Sequence, residues 1–470
     1  MSFTDYPYYL CIIILLLLLL FVNKKHHWVF LLSFSIIFYG YKHWEYMLLL
    51  LISVSIDYIC SIKIENSASV EKQRLLLITS LISNLGILFF FKYFPELYAK
   101  WSWIEYHKGI IGIGNIALPP GISFYTLQSI GYTIDVYRKT VKAERYFGYF
   151  LLYVCFFPQL IAGPIERPQK LIPQLRNPAT INIPYIQSGL FLIGIGLFKK
   201  LVIADRIFII LNDTLSSENN MLGWQAWVFG TLAFLAVYID MSAYTDIARG
   251  SARLFGIELS INFYRPMLSL SLGEFWQRWH ISLSSWIMSY LFKPLVQLNP
   301  SRFHRHLSLI ITFLIIGLWH GPTIPFILMG GLHGCAIVLE RITVYKWPQT
   351  KFFNILRFIR THLLINVSGV LFLSPTIEVA MKIYANMFYF DEFINISSLK
   401  TQLHGYTFSF ILFISPLLLI ILESQHRLIE TREIFSEKII LRNFIIIYII
   451  IFISIGLGAR KANDFLYFFF

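Results

Sequence analysis

Apolar residues in this chain gather into long blocks instead of alternating with polar ones. Tyr6–Val22, Trp28–Tyr41, Met47–Ile62, Leu75–Phe91, Phe147–Ile165, Tyr185–Phe198 and Trp224–Ile239 are separated by short polar stretches. Later blocks are Leu307–Trp319, Ile324–Ile342, Phe352–Leu373, Phe408–Leu422 and Ile439–Leu457. Blocks of this length and hydropathy read as membrane-crossing helices. Backbone polar groups find no water in a bilayer, so the helix is the element that satisfies them internally.

Proline and glycine interrupt the pattern twice. Leu118–Arg138 (LPPGISFYTLQSIGYTIDVYR) opens on Pro119, Pro120 and Gly121, which forbid a simple helix at its start. Phe147–Ile165 ends in FFPQLIAGPIERP, where Pro158, Gly163, Pro164 and Pro168 break it again. Broken backbone at membrane depth is tolerated only where it is buried in protein or lines a cavity. Leu211–Gly223 reads as a polar loop. Trp224–Ile239 then runs into DMSAYTDIARGSARLFG, with Ser242, Asp246, Arg249 and Arg253 on one stripe at helical spacing. This predicts a helix that continues into a cytoplasmic, interfacial segment, with its two arginines solvated.

Charge sharpens the topology. Lys24 and Lys25 follow the first block, Lys63, Lys72 and Arg74 the third, and Arg138, Lys139, Lys142 and Arg145 the first broken segment. Basic loops stay cytoplasmic, which places the N-terminus outside and makes Tyr6–Val22 a first span, not a cleaved signal peptide. Arg427, Arg432, Lys438 and Arg442 mark another cytoplasmic loop. Trp101, Trp103 and Tyr106 fall in an outer loop, and the aromatic tail Ala462–Phe470 suits a membrane interface.

Composition agrees. The chain has 470 residues, of which 57% are hydrophobic and 14% charged, against about 25% charged in soluble domains. A net charge of +13 is expected in the loops, facing anionic lipid headgroups. No basic run is interleaved with aromatic platforms, so nucleic acid is not an expected partner. Cys11, Cys60, Cys155 and Cys335 are widely spaced and form no C-x-x-C pair, so neither a zinc site nor a disulfide framework is indicated.

Two stretches place histidine beside tryptophan in apolar surroundings: Leu272–Trp286 (LGEFWQRWHISLSSW) and Gly317–Gly321 (GLWHG). On one continuous helix Trp276, His280 and Leu283 share a face. Arg278, between Trp276 and Trp279, is placed to stack on them or to bind phosphate. His320 ends an apolar run and precedes Gly-Pro, which stops a helix. His333 sits between glycines in GGLHG and reads first as a packed histidine. Ionisable groups in spans are functional candidates by default. The plain alternative is that these imidazoles only bond neighbouring helices.

These residues resemble the membrane-bound O-acyltransferase family, in the branch that O-acetylates alginate and other bacterial envelope polysaccharides. The branch that D-alanylates teichoic acid is a more distant likeness. The likeness runs through LPPGISFYTLQSIGYTIDVYR, FFPQLIAGPIERP, DMSAYTDIARGSARLFGIEL, NFYRP, EFWQRWHISLSSW and GLWHG, in that order. After LSSW and after GLWHG the chain departs from the branch, while both histidines stay in place. The resemblance implies an all-α polytopic membrane fold, roughly 10–12 transmembrane helices with re-entrant or broken helices around a central funnel. It implies one membrane domain over residues 1–470, with 118–333 as the catalytic core and 1–117 and 334–470 as flanking helices.

Acyl transfer to a hydroxyl needs a base near the hydroxyl and stabilisation of the developing oxyanion. An imidazole in a dry aromatic pocket stays neutral and accepts a proton. The resemblance assigns His320 as the catalytic histidine and His280 as the second, orienting or stabilising the acyl group. Trp319, Trp276, Trp279, Arg278, Tyr244 and Asp246 are candidates to line the substrate tunnel, with Asp240 on the cytoplasmic approach. No metal and no resident cofactor are expected. Acetyl-CoA is the implied donor, an envelope polysaccharide the acceptor and an extracytoplasmic protein the partner, at the bacterial inner membrane. Three other readings share these features: an acyltransferase for a lipid, protein or teichoic-acid acceptor, a transporter without chemistry, and an inactive scaffold.

Overall fold

The structure, a computed structural model, describes residues 1–41, 43–100, 118–216, 221, 223–343, 347–389, 440–458 and 465–466. The aromatic loop at 101–106, the block at 408–422, the basic residues 427–438 and most of the C-terminal tail lie outside the described residues. Every regular element among the described residues is helical. Among the described residues seven helices are long and apolar enough to cross a bilayer, and two shorter apolar helices, Tyr6–Phe21 and Phe444–Gly456, accompany them. This is an all-α polytopic membrane protein.

The chain divides into two compact units. The first comprises Met1–Gly194, Tyr244–Ile261 and Asp464–Phe470. It holds α1 (Tyr6–Phe21), α2 (His27–Gly40), α3 (Trp44–Asn66), α4 (Val70–Leu88) and α5 (Phe94–Lys100). It continues with α6 (Ile122–Tyr137), α7 (Phe147–Cys155), α8 (Pro168–Arg176) and most of α9 (Ile183–Leu197). α3, α4 and α6 close around the buried carboxylate of Asp57. Ser80 donates to it at 2.5 Å, Asn84 at 2.8 and 3.0 Å, and Ser129 donates as well. Helices in an apolar medium gain little from hydrophobic contact with one another, so such polar bonds fix which faces meet.

The two predicted breaks are where the sequence places them, and they pack together. Gly121 has φ 78°, and a side chain there would collide with the Leu160 carbonyl and the Ile161 backbone. Only glycine combines that conformation with that approach. The re-entrant backbone after α7 is held by Gln128 Nε2 and Gln159 Nε2, which donate to the Tyr153 carbonyl at 2.5 and 2.8 Å. Tyr153 Oη in turn donates to the Glu166 carbonyl at 2.8 Å. Buried non-helical backbone is thus paired with side chains, as a low-dielectric interior requires.

The polar stripe after Ile239 corrects one expectation. α11 (Gly223–Leu254) is one helix through the whole stretch, but Asp246, Arg249 and Arg253 are buried, not solvated. Arg253 Nε pairs with Glu258 at 3.1 Å. Protein covers this helix on most of its surface, so its charges are kept inside by partners. The tail reaches the same unit: the Phe465 ring lies 5.2 Å from Tyr244 and 6.4 Å from Phe3.

The second unit comprises Ile195–Ala243 and Asn262–Asn463. α9 does not end in a loop. It passes through a π-helical turn, Phe198–Ala204, into α10 (Asp205–Ser216), so the expected polar loop begins later than Leu211. Lys200 is fully buried, 3.0 Å from Asp205 and 2.8 Å from Asp240. Some of the positive charge expected in loops is therefore internal. The unit then holds α12 (Leu272–Arg278), α13 (Ile281–Ile287) and α14 (Lys293–Gln297). After these come α15 (Arg302–His320), α16 (Ile324–Ile342), α17 (Lys351–Leu373), α18 (Ile377–Asn386) and α19 (Ile440–Leu457). α15 and α16 pack with their backbones in close approach. Side chains at Gly317 or Gly330 would strike the Phe326 or Phe313 carbonyl of the facing helix. The first glycine of GLWHG is therefore a packing residue.

Candidate functional site

Trp276 and His280 do not share one helix. α12 begins at Ser271, whose hydroxyl accepts from the Glu274 N–H at 3.0 Å, while Glu274 Oε2 accepts from the Leu270 N–H at 2.8 Å. It stops at Arg278. Trp279 is extended and His280 is left-handed, with φ 41° and ψ 54°. The reason is a backbone clamp. Tyr264 N–H donates to the Arg278 carbonyl at 2.9 Å, and Ile281 N–H to the Asn262 carbonyl at 2.8 Å. Asn262 Oδ1 accepts from the Ser282 N–H at 3.1 Å. These bonds hold a conformation that costs a non-glycine residue about 1–2 kcal/mol. Strain of this kind concentrates at functional sites.

The two tryptophans of this stretch have different roles. Trp279 is buried in a nest of Phe234, Phe263 and Phe275, each centroid 5.2 Å away, with Tyr238 at 5.8 Å. Trp276 packs on Phe313 at 5.1 Å and donates its indole N–H to His333 Nδ1 at 3.3 Å. An indole is only a donor, so Nδ1 is the acceptor and His333 Nε2 carries the hydrogen, meeting Ser368 Oγ at 2.7 Å. His333, expected as a packed histidine, thus links α12, α16 and α17. Arg278 neither stacks on the tryptophans nor stands free. It pairs with Glu274 at 2.5 Å and donates to the Arg265 carbonyl at 3.3 Å.

His320 closes α15. Its ring lies 4.9 Å from Trp319, 5.3 Å from Phe372 and 5.9 Å from Phe326, and it is buried. His280 is buried with Phe263 at 6.2 Å. The His320 imidazole therefore sits among aromatic rings, whereas His280 has Phe263 beside it. A cavity of about 330 Å³ lies in the same unit, walled by Trp276, Ile281, Phe313, Ile316 and Ile337, with Arg341 at its edge. Phe313, Ile316 and His320 follow one face of α15 at spacings of three and four.

Trp276, Arg278, Trp279, His280, Trp319 and His320 all belong to the second unit, whereas Tyr244 and Asp246 belong to the first. Tyr244 is stacked on Phe3 at 4.5 Å. Sequence reasoning missed the Lys200–Asp205–Asp240 cluster. Its signal was present: Lys200 and Asp205 are five apart, the repeat of a π-helix and not of an α-helix. No group of three or more His, Cys, Asp or Glu is arranged for a metal among the described residues.

Comparison with known proteins places this geometry in context. The profile described as MBOAT, membrane-bound O-acyltransferase family, matches residues 9–385. A peptidoglycan O-acetyltransferase of Helicobacter pylori is 34% identical over 385 residues, covering 75% of this chain and 72% of that protein. A Pseudomonas aeruginosa protein named "Probable alginate O-acetylase AlgI" is 34% identical over 371 residues, covering 77% and 69%. A teichoic acid D-alanyltransferase of Bacillus subtilis is 26% identical over 258 residues, covering 51% and 65%.

Proposed function

The chain belongs to the membrane-bound O-acyltransferase family, and from that premise we propose that it moves an acetyl group onto a hydroxyl of an extracytoplasmic envelope polysaccharide. The relatives' names support this reading, since they describe acetylation of peptidoglycan and of alginate. The observation that carries the catalytic part is the aromatic enclosure of His320 at the end of α15. Excluding water keeps an imidazole neutral and lets it act as a base, a contribution of roughly 10²–10⁴ in rate.

The donor in this reading is acetyl-CoA, a substrate and not a resident group. His320 takes the proton from the acceptor hydroxyl as its oxygen attacks the thioester carbonyl. The C–S bond breaks, and the leaving thiolate recovers a proton as free CoA. His280, fixed by the Asn262 clamp, orients the acyl group and faces the developing oxyanion. Trp276, Trp279 and Trp319 shape the acyl passage, with Arg278 along its approach. The acceptor hydroxyl belongs to the polymer itself or to an extracytoplasmic partner protein that completes delivery to it. The protein works at the bacterial inner membrane with its N-terminus outside.

The test is ester-linked acetate on purified envelope polysaccharides from cells with the intact gene, without it, and with His320→Ala at matched membrane abundance. Loss of acetate in both altered strains is expected, and the polymer that loses it identifies the acceptor. Full acetate with His320→Ala would remove the catalytic assignment. No change on any glycan in the deletion strain would turn the reading to a lipid, protein or teichoic-acid acceptor, and then to a transporter.

A further inference from the structure

The cavity beside Trp276 has a chemistry that selects among ligands. Its volume of about 330 Å³ is at the small end of ligand pockets, which run from about 300 to 1,000 Å³. Its walls are mostly hydrocarbon and aromatic carbon, with Gln277, Ser284, Ser285 and Thr312 as the uncharged polar side chains among them. Two of the hydroxyls that reach it are already engaged with helix carbonyls: Ser284 Oγ donates to Trp279 O at 3.1 Å, and Thr312 Oγ1 to Ser308 O at 2.7 Å. An amide-rich chain such as the pantetheine arm of CoA would lose its water bonds here and gain few in return. A saturated hydrocarbon chain loses none.

The surroundings supply such a chain. The mouth of the cavity is itself apolar: Met288, on its wall, is exposed, and Phe292 beside it is half-buried. At the edge of the cavity, Arg341 lies in the last turn of α16 and is exposed. Among the described residues no acidic side chain pairs with it. Its neighbour Glu340 is taken, by Arg360 at 2.5 Å and by the Leu272 N–H at 3.0 Å. A cation with no acidic partner among the described residues, beside an apolar slot with an exposed mouth in a membrane protein, matches an anionic headgroup attached to a hydrocarbon chain.

We infer that this cavity seats one acyl chain of an anionic membrane phospholipid, with Arg341 binding its phosphate. The chain's inner end reaches Ile316, one helical turn before His320 on the same face of α15, and keeps water off that face. The inference rests on the cavity and Arg341 and not on which acceptor is acetylated, and lipid retention is read without turnover, so it stands or falls separately from the proposed function.

The test is native mass spectrometry of the full-length detergent-purified protein incubated with phosphatidylglycerol or phosphatidylethanolamine. Wild type is expected to retain phosphatidylglycerol in preference. Ile337→Trp, which fills the cavity, should lower retention of both lipids about tenfold; Leu309→Phe replaces it if that variant does not reach the membrane. Arg341→Gln should weaken phosphatidylglycerol about tenfold and phosphatidylethanolamine, whose own ammonium offsets its phosphate, by less, so that the preference is lost. Unaltered retention in the filled variant, or an intact headgroup preference in Arg341→Gln, would overturn the assignment. So would a Ser285→Cys thiol that acetyl-CoA shields from maleimide and phosphatidylglycerol does not, because the cavity would then belong to the thioester donor.

Discussion

Asp57 and His320 are both ionisable and both buried among helices, yet their neighbours differ in kind. Asp57 is met by Ser80, Asn84 and Ser129, and Asn84 is tied in turn to Ser53 at 2.7 Å. Each donor points at the carboxylate, and three helices are cemented by it. His320 is walled by the rings of Trp319, Phe326 and Phe372. A carboxylate surrounded by donors is stabilised as it stands and has little to offer a substrate. An imidazole among rings is kept dry, which is the environment a general base needs. The Lys200–Asp205–Asp240 cluster belongs with Asp57: its charges are answered within the fold.

That contrast separates effects on chemistry from effects on stability. The largest expected effect is chemical. His320→Ala should cut acetyl transfer per folded molecule by roughly 10²–10⁴, measured as polymer-bound acetate at matched abundance. Next comes Lys200→Met, which leaves Asp205 and Asp240 buried without their shared ammonium. Breaking such a group costs about 3–5 kcal/mol, so the unfolding midpoint in detergent should drop. Adding Asp240→Leu should restore part of it, and no recovery would show that charge pairing is not what holds this turn.

Asp57→Leu should cost about 1–3 kcal/mol by leaving buried donors without an acceptor, with acetyl transfer per folded molecule unchanged. Loss of turnover in well-folded protein would erase the distinction between cement and chemistry. The smallest effect concerns the His280 turn. His280→Gly and His280→Ala both delete the ring, but only glycine accepts φ 41° freely. The glycine variant should be the more stable by about 1–2 kcal/mol, read from paired thermal unfolding curves. Equal stabilities would mean that the Asn262 clamp does not hold the left-handed turn.

Several features of the site were legible in advance. The breaks at Pro119–Gly121 and at Pro158–Pro168 follow from residues whose backbone limits are local. His320 at a helix end follows from the Gly-Pro after it. The continuous helix through Trp276 and His280 was a sound local expectation and failed, because Asn262 and Tyr264, distant from it in pattern, capture its backbone. The two arginines after Asp246 looked solvated for the same reason: a polar stripe has the same sequence whether water or protein lies against it. Arg278 looked free to stack until Glu274, one turn away, claimed it.

Sequence alone determined the solvent of this protein, its helical class, the positions of its backbone breaks and the presence of histidine at the ends and turns of apolar segments. These follow from hydropathy and from the stereochemistry of proline and glycine, which act within a few residues. The tertiary structure decided which buried charges are matched, which turn adopts a left-handed conformation, which tautomer His333 holds and where a cavity remains. Those outcomes depend on hydrogen bonds and packing between segments far apart in the chain. A low-dielectric interior makes each such pairing consequential, and no local pattern records it.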